Sequence, residues 1–137
     1  MRSIAFIKPF LIATALMAIG ACAAGSAHDD RQVDAPDGGV FTMQPGQQVS
    51  LADRSRLRYV RLLSDSRCQP DVQCIWAGDA ELAFEWTSAG GATQSFSLHT
   101  GKDPREQALG SRRLALVSVD RGPSPSAQLR IDTPPSP

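Results

Sequence analysis

The 137-residue sequence is poor in the residues from which active sites are built. Its two histidines, His28 and His99, are 71 positions apart, and it has no Gly-x-Ser-x-Gly motif and no Gly-rich phosphate loop. A nucleophilic hydrolase needs a serine or cysteine beside a histidine that a carboxylate orients, and a metal site needs clustered ligands. We therefore predict no enzyme activity, metal or cofactor. Four aspartates near the start could bind Ca²⁺ weakly, but a solvated tether explains them better: Asp29, Asp30, Asp34 and Asp37.

An excess of positive charge is also missing. The chain has 14 basic and 14 acidic side chains and a net charge of zero. Domains that bind nucleic acid carry a basic excess, so nucleic acid is not an expected partner. The hydrophobic fraction of 42% excludes a fully disordered chain, and the length excludes a large two-domain enzyme.

The first residues have the pattern of a secretory signal. Arg2 and Lys8 precede an uncharged apolar run of ten residues, 10–19, and small residues follow it. Ten helical residues span about 15 Å, half of a bilayer core, so the run is too short for a transmembrane helix. It has the length of the apolar segment of a signal peptide.

The four residues Ile19-Gly20-Ala21-Cys22 resemble the bacterial lipobox. The resemblance implies cleavage before Cys22 and lipidation of Cys22, which would attach the protein to a membrane of the bacterial cell envelope. Ala23 is not an aspartate, which in the sorting rule that this pattern resembles favours the outer membrane. The alternative is an ordinary signal peptide cleaved at a nearby Ala-x-Ala site, with Cys22 incidental.

Composition divides the chain into four segments. Residues 1–21 are the predicted lipoprotein signal peptide, and residues 22–39 are the lipidated cysteine and a disordered tether without core-forming residues. The folded domain is predicted over residues 40–132, with a disordered tail at 133–137. Without residues 1–21 the chain has twelve basic and fourteen acidic side chains.

Hydrophobic residues in the domain alternate with a period of two, which is typical of strands. The clearest strand is Ala80–Trp86, which forms a predicted hairpin with residues 94–99. Further strands are predicted at 40–43 and 47–51 around a type II turn at Gln44-Pro45-Gly46, and at 113–120 and 127–132. Residues 101–111 form a predicted polar loop with one helical turn around 104–109.

The strand at residues 56–63 changes phase. Leu57 and Tyr59 alternate with arginines, and then Val60 and Leu62 continue on the other parity. Because a one-residue slip moves every side chain to the opposite face, we predict a β-bulge near Val60 or Arg61. With about seven short strands, the sequence predicts an all-β fold, a small antiparallel β-sandwich, with a small β-barrel as the alternative.

Two cysteines remain if Cys22 carries lipid. In the oxidising periplasm Cys68 and Cys74 are expected to form a disulfide. We predict that Trp76 plugs the core against this bridge, and that Gly78 adopts a backbone conformation closed to other residues.

The segment around these cysteines, residues 65–80, contains Asp-Ser-Arg-Cys followed by Cys-x-Trp-x-Gly. This block resembles a family of small bacterial secreted proteins and lipoproteins, β-rich and mostly without an assigned function. The present chain differs in having Gln69 after Cys68 and the proline one place later, at Pro70. The resemblance implies the fold and the bridge but no activity.

Charged residues beside the block have two interpretations each. Asp65 is expected to bind loop N–H groups, and Arg67 to pair with a carboxylate such as Asp65 or Asp79; alternatively, the loop presents Arg67 to a partner. Arg56 and Arg58 share a strand face and are expected to pair across strands with Glu81 and Glu85. The alternative is a basic stripe that contacts anionic lipid, lipopolysaccharide phosphates or an acidic glycan.

The sequence therefore predicts a lipid-anchored, non-catalytic module that binds an envelope component or protein partner. The alternative is a small inhibitor of an envelope or host hydrolase, with the Cys68–Cys74 loop as a wedge. The two differ at the loop: the binding module buries Trp76, whereas the inhibitor exposes the loop with Trp76 or Val72 facing solvent.

Overall fold

The computed structural model describes residues 33–133, and within them every regular element is a strand. Cys22, the leader, His28 and the last four residues lie outside the described residues, so the predictions on them stay open. No helix within residues 33–133 has the length and hydropathy to cross a membrane. The nine strands are β1 Val33–Asp34, β2 Val40–Met43, β3 Gln48–Ser50, β4 Arg56–Asp65, β5 Ala80–Thr87, β6 Thr93–His99, β7 Glu106–Leu109, β8 Arg112–Val119 and β9 Ala127–Asp132.

The strands form two sheets whose inner faces enclose one core, which confirms the predicted β-sandwich. One sheet has the order β1-β3-β4-β5-β6 and the other β2-β9-β8-β7. All pairings are antiparallel except the two-residue pairing of β1 with β3. The fully buried side chains come from both sheets and alternate along β4, β5 and β9, and they include Met43, Leu57, Tyr59, Leu82, Phe84, Leu98, Leu114, Leu129 and Ile131.

The centre of the larger sheet is the β4–β5–β6 meander. Leu82 and Phe84 of β5 point into the core, and residues of the other parity point out, as the alternation predicts. Phe84 stacks between Tyr59 and Phe96, with ring centroids 5.2 and 5.8 Å apart. The register of β4 against β5 shifts between Tyr59 and Arg61, which confirms the predicted bulge, and a second shift follows between Leu62 and Ser64.

The turn at Gln44-Pro45-Gly46 has the predicted form. Gly46 has φ +85°, and the N–H of Gln47 donates to the carbonyl of Gln44 at 3.0 Å, which are features of a type II turn. The chain passes from one sheet to the other here, because β2 pairs with β9 while β3 pairs with β4.

Two sequence predictions about segments outside the predicted strands are wrong. The helical turn expected at residues 104–109 is replaced by strand β7, which pairs with β8 because Gly110 (φ +64°) closes a tight turn between them. The predicted tether also extends too far, since the domain begins before residue 40. Asp34 lies in β1, Ala35 is buried, and the N–H of Gly38 donates to the carbonyl of Ile131.

Candidate functional site: the disulfide loop

Residues 66–79, which we call the disulfide loop, continue the β4–β5 ladder beyond the end of both sheets. The N–H of Ser66 donates to the carbonyl of Asp79 at 2.8 Å, and the N–H of Cys68 to that of Ala77 at 3.1 Å. The disulfide between Cys68 and Cys74, predicted from the sequence, closes the tip with a Cα–Cα distance of 5.9 Å. The loop is therefore a braced extension of the hairpin.

Gly78 is required by this close approach of the two loop strands. Its φ is +71°, and a Cβ there would lie 1.9 Å from the carbonyl oxygen of Ser66. The predicted role of Gly78 is confirmed, since a left-handed φ and a clash with backbone both exclude a side chain.

Asp65 and Arg67 are two positions apart on extended chain, so their side chains lie on the same side of it. Arg67 donates from Nε and Nη2 to the two carboxylate oxygens of Asp65 at 2.8 and 2.6 Å. The backbone N–H of Arg67 also donates to Asp65. This forked pairing is the strongest geometry for a guanidinium and a carboxylate.

The same guanidinium joins the two sheets. Nη1 of Arg67 donates to the carbonyl of Val119 at 2.6 Å, and Nη2 to that of Asp120 at 2.8 Å, at the end of β8. Only 12% of the Arg67 side chain is exposed. Arg67 thus fixes the loop to the opposite sheet, as the structural interpretation predicted, and its guanidinium does not face outward as a partner contact would.

Electrostatics agree with this arrangement. The hydrogen bonds from Arg67 hold the pKa of Asp65 below its ordinary value of 3.8, although burial acts in the opposite direction. Pairing with Asp65 in turn raises the pKa of Arg67. A second arginine, Arg121, donates to the carbonyl of Cys68 at 2.6 Å and holds the disulfide end of the loop.

Asp79 fixes the other side of the loop base. Its carboxylate accepts hydrogen bonds from the N–H groups of Thr100 and Gly101 at 3.0 and 2.8 Å, and Nδ1 of His99 lies 2.7 Å from it. Burial acts to raise the pKa of Asp79, but the Gly101 N–H, His99 and Lys102 together bring the pKa below 3.8. The aspartate therefore stays ionised and anchors the turn after β6.

The surroundings of His99 do not assemble a hydrolytic triad. Its side chain is buried, and its two ring nitrogens face carboxylates, with Nε2 lying 3.9 Å from Glu81. The hydroxyl of Ser97 donates to Glu81 at 2.9 Å instead of to the ring. The cluster joins the loop base to the turn after β6, and among residues 33–133 no serine hydroxyl is hydrogen-bonded to the histidine.

The structure corrects the prediction for Trp76. Instead of plugging the core, Trp76 is 81% exposed, its neighbour Ile75 is 93% exposed, and Val72 is 56% exposed. The reason is that the disulfide loop lies past the end of both sheets, so no opposite sheet faces its tip. The core is filled without it, by the stack of Tyr59 and Phe84.

Arg56 and Arg58 point outward from β4, opposite Thr87 and Glu85 of β5. Within residues 33–133 neither guanidinium has a carboxylate within 4.0 Å, so the predicted cross-strand ion pairs do not form. Glu81 instead accepts a hydrogen bond from Ser97. In the described part of the chain, the two arginines therefore have no ion-pair partner.

Sequence reasoning missed three parts of the site. The contact of Arg121 with the loop depends on where β8 ends relative to the loop, and no local sequence pattern encodes that position. The anchoring role of Asp79 comes from contacts with residues 20 to 22 positions later in the chain. Exposure of Ile75 could have been suspected, because it lies beside a cysteine in a short loop without alternating neighbours.

No protein-family model matches this chain, and none of the curated proteins or solved structures does either. The likeness of residues 65–80 to a secreted family therefore stays a prediction. Over residues 33–133, no three His, Cys, Asp or Glu side chains are grouped so as to hold a metal ion. The exposed tip of the disulfide loop is the part of the described chain that best fits a functional surface.

Proposed function

We propose that this chain is a lipid-anchored, non-catalytic binding module of the bacterial cell envelope that contacts a protein partner through the disulfide loop. The binding module predicted from the sequence buries Trp76, whereas the structure exposes both Trp76 and Ile75 at the tip of a braced loop. This exposure carries the proposal in a changed form, because it places the contact surface on the loop itself. Adjacent large apolar side chains on a protein surface are a feature of interaction sites. Tryptophan is also among the residues most often found to dominate binding energy.

Rigidity of the loop supports the proposal. The disulfide, the Arg67 contacts with β8 and the Asp79 contacts with the turn after β6 hold the loop base on three sides. A contact element that is ordered before binding loses less conformational freedom on binding, and so retains more of its interaction energy as affinity. These contacts serve presentation of the tip, since the core is complete without them.

Membrane attachment is the second half of the proposal. It is supported by the signal-like leader and by the lipobox-like residues ending at Cys22. The disulfide is consistent with an oxidising compartment. Intact mass of the mature protein tests this half directly: we expect cleavage before Cys22 and the mass of its acyl groups. A mature chain without lipid on Cys22 would contradict it.

Capture from solubilised envelopes tests the protein contact. We expect Trp76→Ala to weaken binding of the captured partner by about 30-fold or more, as for a central tryptophan of an interface. Val40→Ala is the matched control, because Val40 is 55% exposed on β2, away from the loop. Equal capture by both variants would contradict the role of the loop.

Inhibition of a hydrolase is the second candidate, and the exposure of Val72 and Trp76 favours it specifically. A braced loop with an apolar tip has the form of a wedge for an active-site cleft. Addition of the protein to envelope and host hydrolases tests this version. Inhibition that Trp76→Ala abolishes would support the inhibitor. Capture of a partner without loss of any hydrolase activity would contradict the inhibitor and support the binding module.

A further inference from the structure

Arginines without a partner are concentrated in one part of the domain. Of the ten arginines within residues 33–133, five have neither an ion pair nor a side-chain hydrogen bond inside that range. Four of these five lie together, in the turn before β4 and along it. We call them the arginine row: Arg54, Arg56, Arg58 and Arg61.

The arginine row lies on the outer face of the larger sheet. Arg56, Arg58 and Arg61 are paired in register with Thr87, Glu85 and Ala83, the outward residues of β5, and all three are exposed. The bulge after Tyr59 is what returns Arg61 to the same face as the other two. Without that extra residue the third arginine would point toward the core.

Arg54 adds a separate observation. It has φ +66° in the turn from Leu51 to Ser55, a conformation that favours glycine or asparagine. An arginine at this position therefore adopts a backbone conformation that is less favourable for it than for glycine or asparagine. Arg54 and Arg56 line the same surface depression of about 330 Å³, which places Arg54 beside the first arginine of β4.

Within residues 33–133, acidic residues lie near the arginine row, but none of them forms an ion pair with it. Asp34 lines the same depression and Glu85 lies opposite Arg58, but neither is within 4.0 Å of a guanidinium of the row. Asp53, in the same turn, accepts its hydrogen bonds from the N–H and hydroxyl of Ser55. With no carboxylate partner among residues 33–133, the guanidinium groups can make bidentate contacts with an external anion.

The chain joins the sheet beside the arginine row. Asp34 of β1 is level with Ser50 of β3, which is level with Arg56. Cys22 precedes Val33 by eleven residues, and a chain of that length spans at most about 40 Å. A lipid on Cys22 would therefore hold this edge of the domain close to a membrane.

We propose that the arginine row binds the phosphate groups of an anionic membrane surface. This inference rests on the lipid anchor proposed above, and it assigns a second membrane contact to the domain itself. A lipid chain and basic side chains together hold a protein at a membrane more strongly than either does alone. The disulfide loop continues from the opposite end of β4, so it remains free for a partner.

Vesicle binding by the unlipidated full mature chain, Cys22→Ser, tests the inference apart from the anchor. We expect binding to vesicles of phosphatidylglycerol and phosphatidylcholine at about 0.01 M salt, where the Debye length is about 30 Å. No binding is expected to phosphatidylcholine alone, or at 1 M salt. Arg56→Gln with Arg58→Gln should lower the partition coefficient about 30-fold, from about fivefold for each arginine.

Arg105→Gln with Arg113→Gln is the matched control, because both residues are exposed and lie on or before the other sheet. It removes the same charge, although Arg113, unlike the row, pairs with Glu106 at 3.5 Å, and it should leave binding nearly unchanged. Equal loss in both double variants, or binding to heparin but not to anionic vesicles, would overturn the proposal. Thermal unfolding of each variant excludes misfolding, and the result is independent of whether Cys22 is lipidated in the cell.

Discussion

Replacing Arg67 by methionine removes the side chain that joins the disulfide loop to the opposite sheet while keeping much of its apolar stem. Four hydrogen bonds are lost, two to the carboxylate of Asp65 and two to the carbonyls of Val119 and Asp120. Exposed ion pairs contribute about 0–1 kcal/mol, whereas breaking a buried pair costs about 3–5 kcal/mol.

The Arg67 pair lies between these limits, because the side chains of Arg67 and Asp65 are 12% and 26% exposed. We therefore expect Arg67→Met to lower the free energy of unfolding by about 2–3 kcal/mol. For a domain of this size that corresponds to a fall in Tm of about 10–20 °C. The change is large beside a total stability of about 5–15 kcal/mol.

Urea unfolding with the disulfide intact measures the effect as a shift of the midpoint at unchanged slope. Arg121→Met is the matched control, because exposed Arg121 makes one hydrogen bond, to the carbonyl of Cys68, and should cost under about 1 kcal/mol. Asp65→Asn combined with Arg67→Met should cost less than the two single changes added together. A loss for Arg67→Met no greater than that of the control would refute the reasoning. Lost partner capture at unchanged stability would make Arg67 a contact residue instead.

Three further predictions concern the loop and its charges. Gly78→Ala should lower the Tm more than Gly91→Ala, because both have positive φ but only Gly78 meets backbone within 4 Å; equal shifts would contradict this. Replacing Cys68 and Cys74 by serine should cost about 2.4 kcal/mol in urea unfolding, for a closed loop of about seven residues, with an unchanged slope if the sandwich persists. Because folding lowers the pKa of Asp65, the ionised Asp65 contributes stability above pH 3.8, and this contribution is lost as the pH falls through the pKa of the folded state. The free energy of unfolding of Arg67→Met should therefore depend less on pH in the acid range. Equal pH dependence in both proteins would contradict the pairing.

Local sequence patterns were sufficient to predict a strand where the strand is long and one of its faces is buried. The alternation in β5 and the phase change in β4 follow from the two-residue period of a strand, so both the hairpin and the bulge were predictable. They failed for β1 and β7, which have two and four residues, too few to show a period. Such strands exist because a neighbouring strand offers an unpaired edge. The equally short β2 and β3 were predictable because a turn motif, Gln44-Pro45-Gly46, lies between them.

In the candidate site, too, some features were predictable from the local sequence and others were not. The sequence by itself determined that Cys68 and Cys74 are close enough to bridge, and that a glycine is needed at position 78, since both are short-range matters of chain geometry. Only the tertiary structure decided that Trp76 is exposed and that Arg67 is enclosed. Exposure depends on whether another sheet lies opposite a side chain, and that is set by how two distant parts of the chain pack, not by the residue or its neighbours.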